Sequence, residues 1–408
     1  MEEHDAGVPY MVLSRAKEIA AELTPLWADL HRHPELSFKE YRTSERLKKE
    51  VEGLGLEVID LGMETGFLAR LRGGQPGRKA AIRTDLDAIA ILESPKHEVR
   101  SGTDGVMHAC GHDFHMTAAL GAARLLKEGA DQLQGDVYFV FQPAEEIMSG
   151  ARVMLDSGLL EALPPDLDAL FGLHALPHYP AGTVLSGSGY ASAGKTDFRI
   201  RYKGTAGHGG SPHEYQDVIP ASAAFIQAVQ TLVSRENDPQ KALVAAVLTA
   251  RSEGEDYFVS DALEMTGAIR AFDEQVQEEA EQRIAELAEN IATAYGCQVE
   301  AELSRGVPAQ KNDPDLLPAA RRACRTLFSE DRILTGLPPF LGAEDFALFG
   351  RRLPSHFYWL GTGFPGRENA LLHQPEFQIN PQALPLAIAL LTQSVLEVLE
   401  GEEDHAEK

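Results

Sequence analysis

Cysteine is scarce in this chain: Cys110, Cys297 and Cys324 are the only three in 408 residues. An odd, sparse set excludes a disulfide framework. No run of about twenty apolar residues is present, so no membrane-spanning helix is expected. Basic residues are few: 37 Lys and Arg stand against 62 Asp and Glu, a net charge of −25. Such a surface repels a phosphate backbone and an anionic bilayer, which argues against nucleic-acid and membrane partners. The opening Met1-Glu2-Glu3-His4-Asp5 is acidic and lacks the basic-then-apolar order of a secretory signal, so a cytoplasmic protein is expected. Internal repeats and long low-complexity tracts are missing too. The length exceeds what one core usually fills, and two domains are expected.

The informative stretch is Met107-His108-Ala109-Cys110-Gly111-His112-Asp113. It sets a thiol and an imidazole two residues apart, just before a helix-like run. Farther on come Gln142-Pro143-Ala144-Glu145-Glu146, Gly172-Leu173-His174 and Leu372-His373. Cys110, His112, Glu146, His174 and His373 form a mixed sulfur, nitrogen and oxygen set. It is too rich in imidazole and carboxylate for a structural zinc finger. It suits one or two catalytic divalent metals with open positions. Glu145, beside Glu146, has the chemistry of a base that activates water at such a centre.

The pattern predicts a helix from Val12 to Leu30. It predicts strands at Ala80–Arg83, Asp136–Gln142 and Ala169–Leu173, with His174 ending the last. Helical stretches from Phe114 to Lys127 and from Ala151 to Leu160 lie between. Strand alternating with helix indicates an α/β fold with a largely parallel sheet between helices. Ligands at strand C-termini fit it, because open α/β sheets bind at that edge. The middle differs. Strands at Asp197–Tyr202, Leu243–Thr249 and Leu263–Ala271 and helices at Asp217–Arg235 and Glu274–Tyr295 run β-α-β-β-α, a ferredoxin-like α+β order. The domains expected are a catalytic domain at 1–190 and 305–408, with an insert at 191–304. The charged tail from Gly401 is expected to fray.

These motifs resemble the aminoacylase and carboxypeptidase superfamily of dinuclear metallohydrolases. The amidohydrolase branch is the nearest, with its N-acyl-amino-acid amidohydrolases, hippurate hydrolases and indoleacetyl-amino-acid hydrolases. The resemblance runs over nearly the whole chain. It is carried by Leu30-His31-Arg32-His33-Pro34-Glu35-Leu36-Ser37-Phe38, Arg83-Thr84-Asp85-Leu86-Asp87-Ala88, the Cys110 and Glu145 motifs, Gly207-His208-Gly209-Gly210-Ser211-Pro212-His213 and Gly342-Ala343-Glu344-Asp345-Phe346. It implies two divalent metal ions, zinc or manganese first and cobalt or nickel next, held by Cys110, His112, Glu146, His174 and His373. Glu145 would be general base and then acid. Asp85 or Asp113 would orient a ligand imidazole. His208 would stabilise the oxyanion, reaching a neighbouring subunit's site in a homodimer, with the insert as lid and dimerisation domain. Arg270 would bind a substrate carboxylate. The implied substrate is a small N-acyl amino acid or a dipeptide-like amide. The chain departs from the branch at Tyr257, where relatives carry Asn, at Ala90, where they carry Pro, and at Ile147, Met148 and Ser149, where glycines are usual.

Other readings share these residues: a dipeptidase or carboxypeptidase of the same superfamily, a catalytically silent binding protein on the same fold, or a hydrolase whose nucleophile is Cys110. Cys297 and Cys324 have no ligand-spaced partner and are expected in the core. His108 and His115 read as supporting or core residues. Glu344 and Asp345 read either as a helix cap or as support for the metals.

Overall fold

In the computed structural model, residues 8–401 are described apart from 253, 256, 337, 339 and 340. The chain divides into two compact units. One comprises residues up to 191, 311–339 and 348 onward; the other comprises 192–310 and 340–347.

The first unit is built on an eight-stranded sheet. Its strands include β1 (Glu57–Ile59), β2 (Phe67–Leu71), β3 (Gln75–Asp85), β4 (Gln134–Gln142) and β5 (Ala169–Pro180). The centre is parallel: β4, β3, β5 and the strand Ser355–Gly363 lie side by side. The flanking strands β2 and Val184–Leu185 run antiparallel to this centre, so the sheet is largely but not wholly parallel. Central strands of such sheets are covered on both faces and therefore read as continuous apolar runs. Thus Val137, Phe139, Val140 and Phe141 of β4 are all buried.

Helix α1 (Val8–Arg32) buries Ala16, Ile19, Leu23, Leu26 and Leu30, a three-four spacing that keeps one stripe on the core. It packs beside α3 (His112–Glu128) and the helix Ala383–Leu399, and the latter also lies over β3 and β5. Between α1 and α3, helix α2 (Tyr41–Gly53) buries Leu47 and Val51. The helix expected over Ala151–Leu160 is two short ones, Gly150–Asp156 and Leu159–Ala162. Gly158 parts them with φ +88°, a conformation that only glycine adopts freely. No helix among the described residues is long and apolar enough to cross a membrane.

The second unit holds a four-stranded antiparallel sheet, in the spatial order Leu243–Ser252, Ala262–Ala271, Gly194–Lys203, Gln298–Val307. Helices Val218–Thr231 and Glu274–Tyr295 complete the ferredoxin-like βαββαβ order. Asp217 and Asp273 cap them, each carboxylate accepting from the backbone N–H two residues on. The last strand was not expected. Gln298–Val307 lies at a sheet edge with most side chains in water, so it carries little apolar alternation.

Candidate metal centre

The C-terminal ends of β3, β4 and β5 converge. Asp85 ends β3 opposite Gln142, the last residue of β4. Asp87 follows the first, and Glu145 and Glu146 follow the second. The strand β5 pairs with β3 only as far as Gly172, two residues before His174. His174 was expected to end its strand. Instead β5 runs on to Pro180, because the strand Ser355–Gly363 continues to pair with its other edge. His174 therefore sits in the split between strands, where open α/β sheets place ligands.

Gly111 joins Cys110 to the start of α3. Its φ is +86°, and a Cβ there would lie 2.9 Å from Ile379 Cδ1. Glycine thus lets the chain turn so that Cys110 and His112 serve one centre. Gly150 closes the Glu145–Glu146 corner: a Cβ there would lie 1.5 Å from the Pro143 carbonyl oxygen. His373 is held by its own N–H, which donates to the Ala109 carbonyl at 2.9 Å.

The five expected ligands meet. Cys110 Sγ lies 3.3 Å from His174 Nε2. His112 Nε2 lies 3.7 Å from Glu146 Oε1 and 3.8 Å from Glu145 Oε2. His373 Nε2 lies 3.5 Å from Glu146 Oε2. Ligand atoms of Cys110, His112 and His174 all fall within 4.8 Å of one another, as do those of Cys110, Glu146 and His373. All are buried or nearly so except His373, whose side chain is 54% exposed.

Two atoms test whether this set fits a cation. His112 Nε2 and Glu146 Oε1 are buried, and neither has a hydrogen-bond partner. Buried polar atoms are rarely left so. The other ring nitrogen of His112 and of His174 is occupied: His112 Nδ1 lies 2.8 Å from the Asp87 carbonyl and His174 Nδ1 lies 2.8 Å from the Ala175 carbonyl. Both therefore carry hydrogen on Nδ1 and turn Nε2 inward, as metal-binding imidazoles do. The residues fit a bound metal cation.

Burial and close carboxylates shift the site's titratable groups. Burial pushes the Cys110 thiol well up, and the nearby Glu146 and Glu145 add to it. Burial also raises the Glu146 carboxyl to about 7, against the pull of His112. His174 is pushed well down, chiefly by burial. Burial would lower His112 as well, but the Asp85 carboxylate and the hydrogen bond to Asp87 hold it at about 10.

The supporting carboxylates differ from expectation. Asp85 bonds His115 Nδ1 at 2.8 Å and receives Arg83 Nη1 at 2.8 Å, but stands 3.8 Å from His112 Nε2. Asp113 serves His31 and Trp27, not a ligand. The residue that orients His112 is Asp87. Its carboxylate also accepts the backbone N–H groups of Glu145 and Glu146, both at 3.1 Å, and the Ser37 hydroxyl at 2.6 Å. Glu40 accepts the Ala144 N–H at 2.8 Å, and burial, with Asp87 nearby, pushes its carboxyl up to about 7. Three successive amides thus hang on two buried carboxylates. The signal for Asp87 was present: two acids bracket the buried Leu86 just where an apolar strand ends.

The remaining expected residues lie in the second unit. His208 is exposed on the short strand Gly207–His208, which pairs with Phe258–Val259, and its Nδ1 accepts the Gly210 N–H. Tyr257, in place of the expected Asn, is 74% exposed. Arg270 is half-buried and donates to the Leu341 carbonyl at 2.8 Å. Glu344 accepts the Phe346 N–H, as a helix cap does.

Known proteins are similar to the chain over nearly its whole length. N-acetylcysteine deacetylase of Bacillus subtilis is 35% identical over 385 residues, covering 94% of this chain and 98% of its own. IAA-amino acid hydrolase ILR1-like 2 of Arabidopsis thaliana is 31% identical over 390 residues, covering 95% and 87%. The crystal structure of the Bacillus subtilis YXEP protein, described as a dinuclear metal-binding peptidase from the M20 family, superposes with a TM-score of 0.79 at 33% identity, covering 94% and 99%. The model of peptidase family M20/M25/M40 matches residues 81–397. The resemblance read from the motifs is thereby borne out: the chain is a hydrolase that belongs to peptidase family M20/M25/M40.

Proposed function

We propose that the chain hydrolyses the amide bond of N-acyl amino acids or closely related small amides. One observation carries the proposal: His112 Nε2 and Glu146 Oε1 are buried and without partners at the middle of a Cys, His and Glu set. The names of two relatives, a deacetylase of N-acetylcysteine and a hydrolase of indoleacetyl-amino acids, support the substrate class.

Cys110, His112, Glu146, His174 and His373 would hold two divalent ions, zinc or manganese before cobalt or nickel. When bound, such ions polarise a carbonyl and make water acidic near neutral pH. Glu145 takes a proton from the attacking water. The water oxygen bonds the acyl carbon, the carbon–nitrogen bond breaks, and Glu145 returns the proton to the leaving nitrogen. A carboxylic acid and a free amino acid result. Asp87 holds the Glu145 backbone, so the base keeps one position through both transfers. Arg270 receives the substrate carboxylate, and His208 donates to the oxyanion at a neighbouring subunit's site in a homodimer. The inserted unit then acts as lid and dimerisation element. A thiolate ligand favours a reducing compartment, consistent with a cytoplasmic enzyme.

The test is a panel of acetyl-, benzoyl- and indoleacetyl-amino acids beside simple dipeptides, run on metal-reconstituted protein with and without EDTA. Turnover of acyl-amino acids, lost in EDTA and restored by metal, is the expected result. Turnover of dipeptides alone would make it a peptidase. Turnover that survives EDTA would point to Cys110 as nucleophile, and no turnover at all to a binding protein.

A further inference from the structure

A cavity of about 430 Å³ lies in the first unit, and none of the five metal ligands or Glu145 lines it. One wall is a face of α1, from Lys17 to His31; the other is the segment 377–385. Ala20, Ala21, Trp27, Phe377, Ile379 and Leu384 make the walls mainly apolar. The floor is polar: His31, His97, His108 and Asp113.

The floor's other polar groups are already partnered. Asp113 accepts from His31 at 2.8 Å and Trp27 Nε1 at 2.9 Å. Glu93, just behind, meets His31 at 2.9 Å and His97 at 2.8 Å, and accepts the Ser101 N–H. His108 is the exception. It is 2% exposed, and neither ring nitrogen has a hydrogen-bond partner. A neutral imidazole offers one donor and one acceptor, and burying both unmet is costly.

We infer that this cavity binds a small uncharged molecule with an apolar body and one hydrogen-bonding group, such as an aryl alcohol. The size falls within the range of small-ligand sites. An ionic head group would lose its hydration against a floor whose other polar groups are already partnered, and Lys17 lies in water at the rim. A wholly apolar molecule would leave His108 unmet. Both ring nitrogens are closed to solvent, so the inferred contact requires the imidazole to turn toward the ligand. The segment His108–Asp113 supplies both the cavity floor and the ligands Cys110 and His112.

Three probes share one body: 2-naphthol, naphthalene and 2-naphthoate. Calorimetric titration of the metal-loaded protein should give saturable 2-naphthol binding. Naphthalene and 2-naphthoate should each bind at least tenfold more weakly. Ala28→Phe, which fills the cavity from α1, should abolish 2-naphthol binding while metal content stays whole. His108→Phe, if it folds, should bring 2-naphthol down to the naphthalene value. The inference is overturned by absent 2-naphthol binding, by equal or tighter 2-naphthoate binding, or by binding that Ala28→Phe leaves intact. These readouts do not depend on the proposed amide hydrolysis, so failure of one reading leaves the other standing.

Discussion

Replacing Asp87 by Asn probes how the base is held. The Asp87 carboxylate is wholly buried and accepts from three donors: Glu145 N–H on one oxygen, Glu146 N–H and the Ser37 hydroxyl on the other. An amide keeps only one of those oxygens. The cheaper orientation retains the oxygen that serves two donors. The amide nitrogen then faces the Glu145 N–H, donor against donor. One hydrogen bond to a charged group is lost and its donor is left buried, a cost of roughly 1–3 kcal/mol. The corner carrying Glu145 loosens while Glu146 stays tied. Misplacement of a reacting group by about 1 Å costs on the order of 10²-fold in rate. Asp87→Asn should therefore unfold at lower urea, keep both metals, and lose about 10²-fold in kcat with little change in KM. Ser37→Ala is the control: it removes the 2.6 Å bond and some stability but leaves Glu145 tied. Urea titration, metal analysis and steady-state kinetics on an acyl-amino acid read all three quantities. A wild-type kcat in Asp87→Asn, or an equal kcat loss in Ser37→Ala, would refute the reasoning.

Other expectations follow from single side chains. Cys110→Ser should lose at least one metal ion on dialysis, because a hydroxyl is a far poorer ligand than thiolate for zinc-like ions; unchanged stoichiometry would remove Cys110 from the ligand set. His208→Ala and Glu145→Gln should each be inactive, and verified mixed dimers should regain one competent site; absence of rescue would end the trans-acting role of His208. The buried His356 bonds Ser186 at 2.8 Å, and burial pushes it down to about 3. It stays neutral in the fold while the unfolded chain takes a proton below about 6.5, so its contribution is fully kept above that pH and falls by about 1.4 kcal/mol per pH unit toward pH 3. The stability deficit of His356→Gln at pH 7.5 should accordingly narrow as pH falls from 6 to 4.5, and a constant deficit would show that His356 does not titrate this way.

Much of the site was legible because its chemistry is local. Cys110 and His112 sit two residues apart, and Glu145 and Glu146 follow an apolar strand directly. The parallel order was legible because β4 and β5 each carry a continuous apolar run, Val137–Phe141 and Ala169–Leu173. The edge strand Gln298–Val307 was not, since its side chains face water. The position of His174 within its strand was hidden because only the neighbouring strand at 355–363 carries β5 onward. Asp113 was one of two residues expected to orient a ligand imidazole. It lies one residue past His112, and successive residues at a helix start point to different sides. Its partners His31 and Trp27 come from α1, more than eighty positions earlier.

Backbone conformation was the part that sequence pattern could not carry, and it bears on how the centre is assembled. Four described non-glycine residues have positive φ: Phe38, Ala144, Met148 and His373. Ala144 and Met148 flank Glu145 and Glu146, and His373 is itself a ligand. Left-handed backbone costs a residue with a Cβ roughly 1–2 kcal/mol and persists only where the surroundings enforce it. The enforcing groups can be named. Glu40 fixes the Ala144 amide, Asp87 fixes the next two, and Ala109 fixes His373. Glu40 and Asp87 come from segments more than fifty residues before the corner they hold, and nothing in Pro143-Ala144-Glu145-Glu146 marks the strain. The centre is therefore set by carboxylates acting on peptide N–H groups as much as by the side chains that would touch metal. A ligand set grafted without Glu40 and Asp87 would have the right residues in the wrong places.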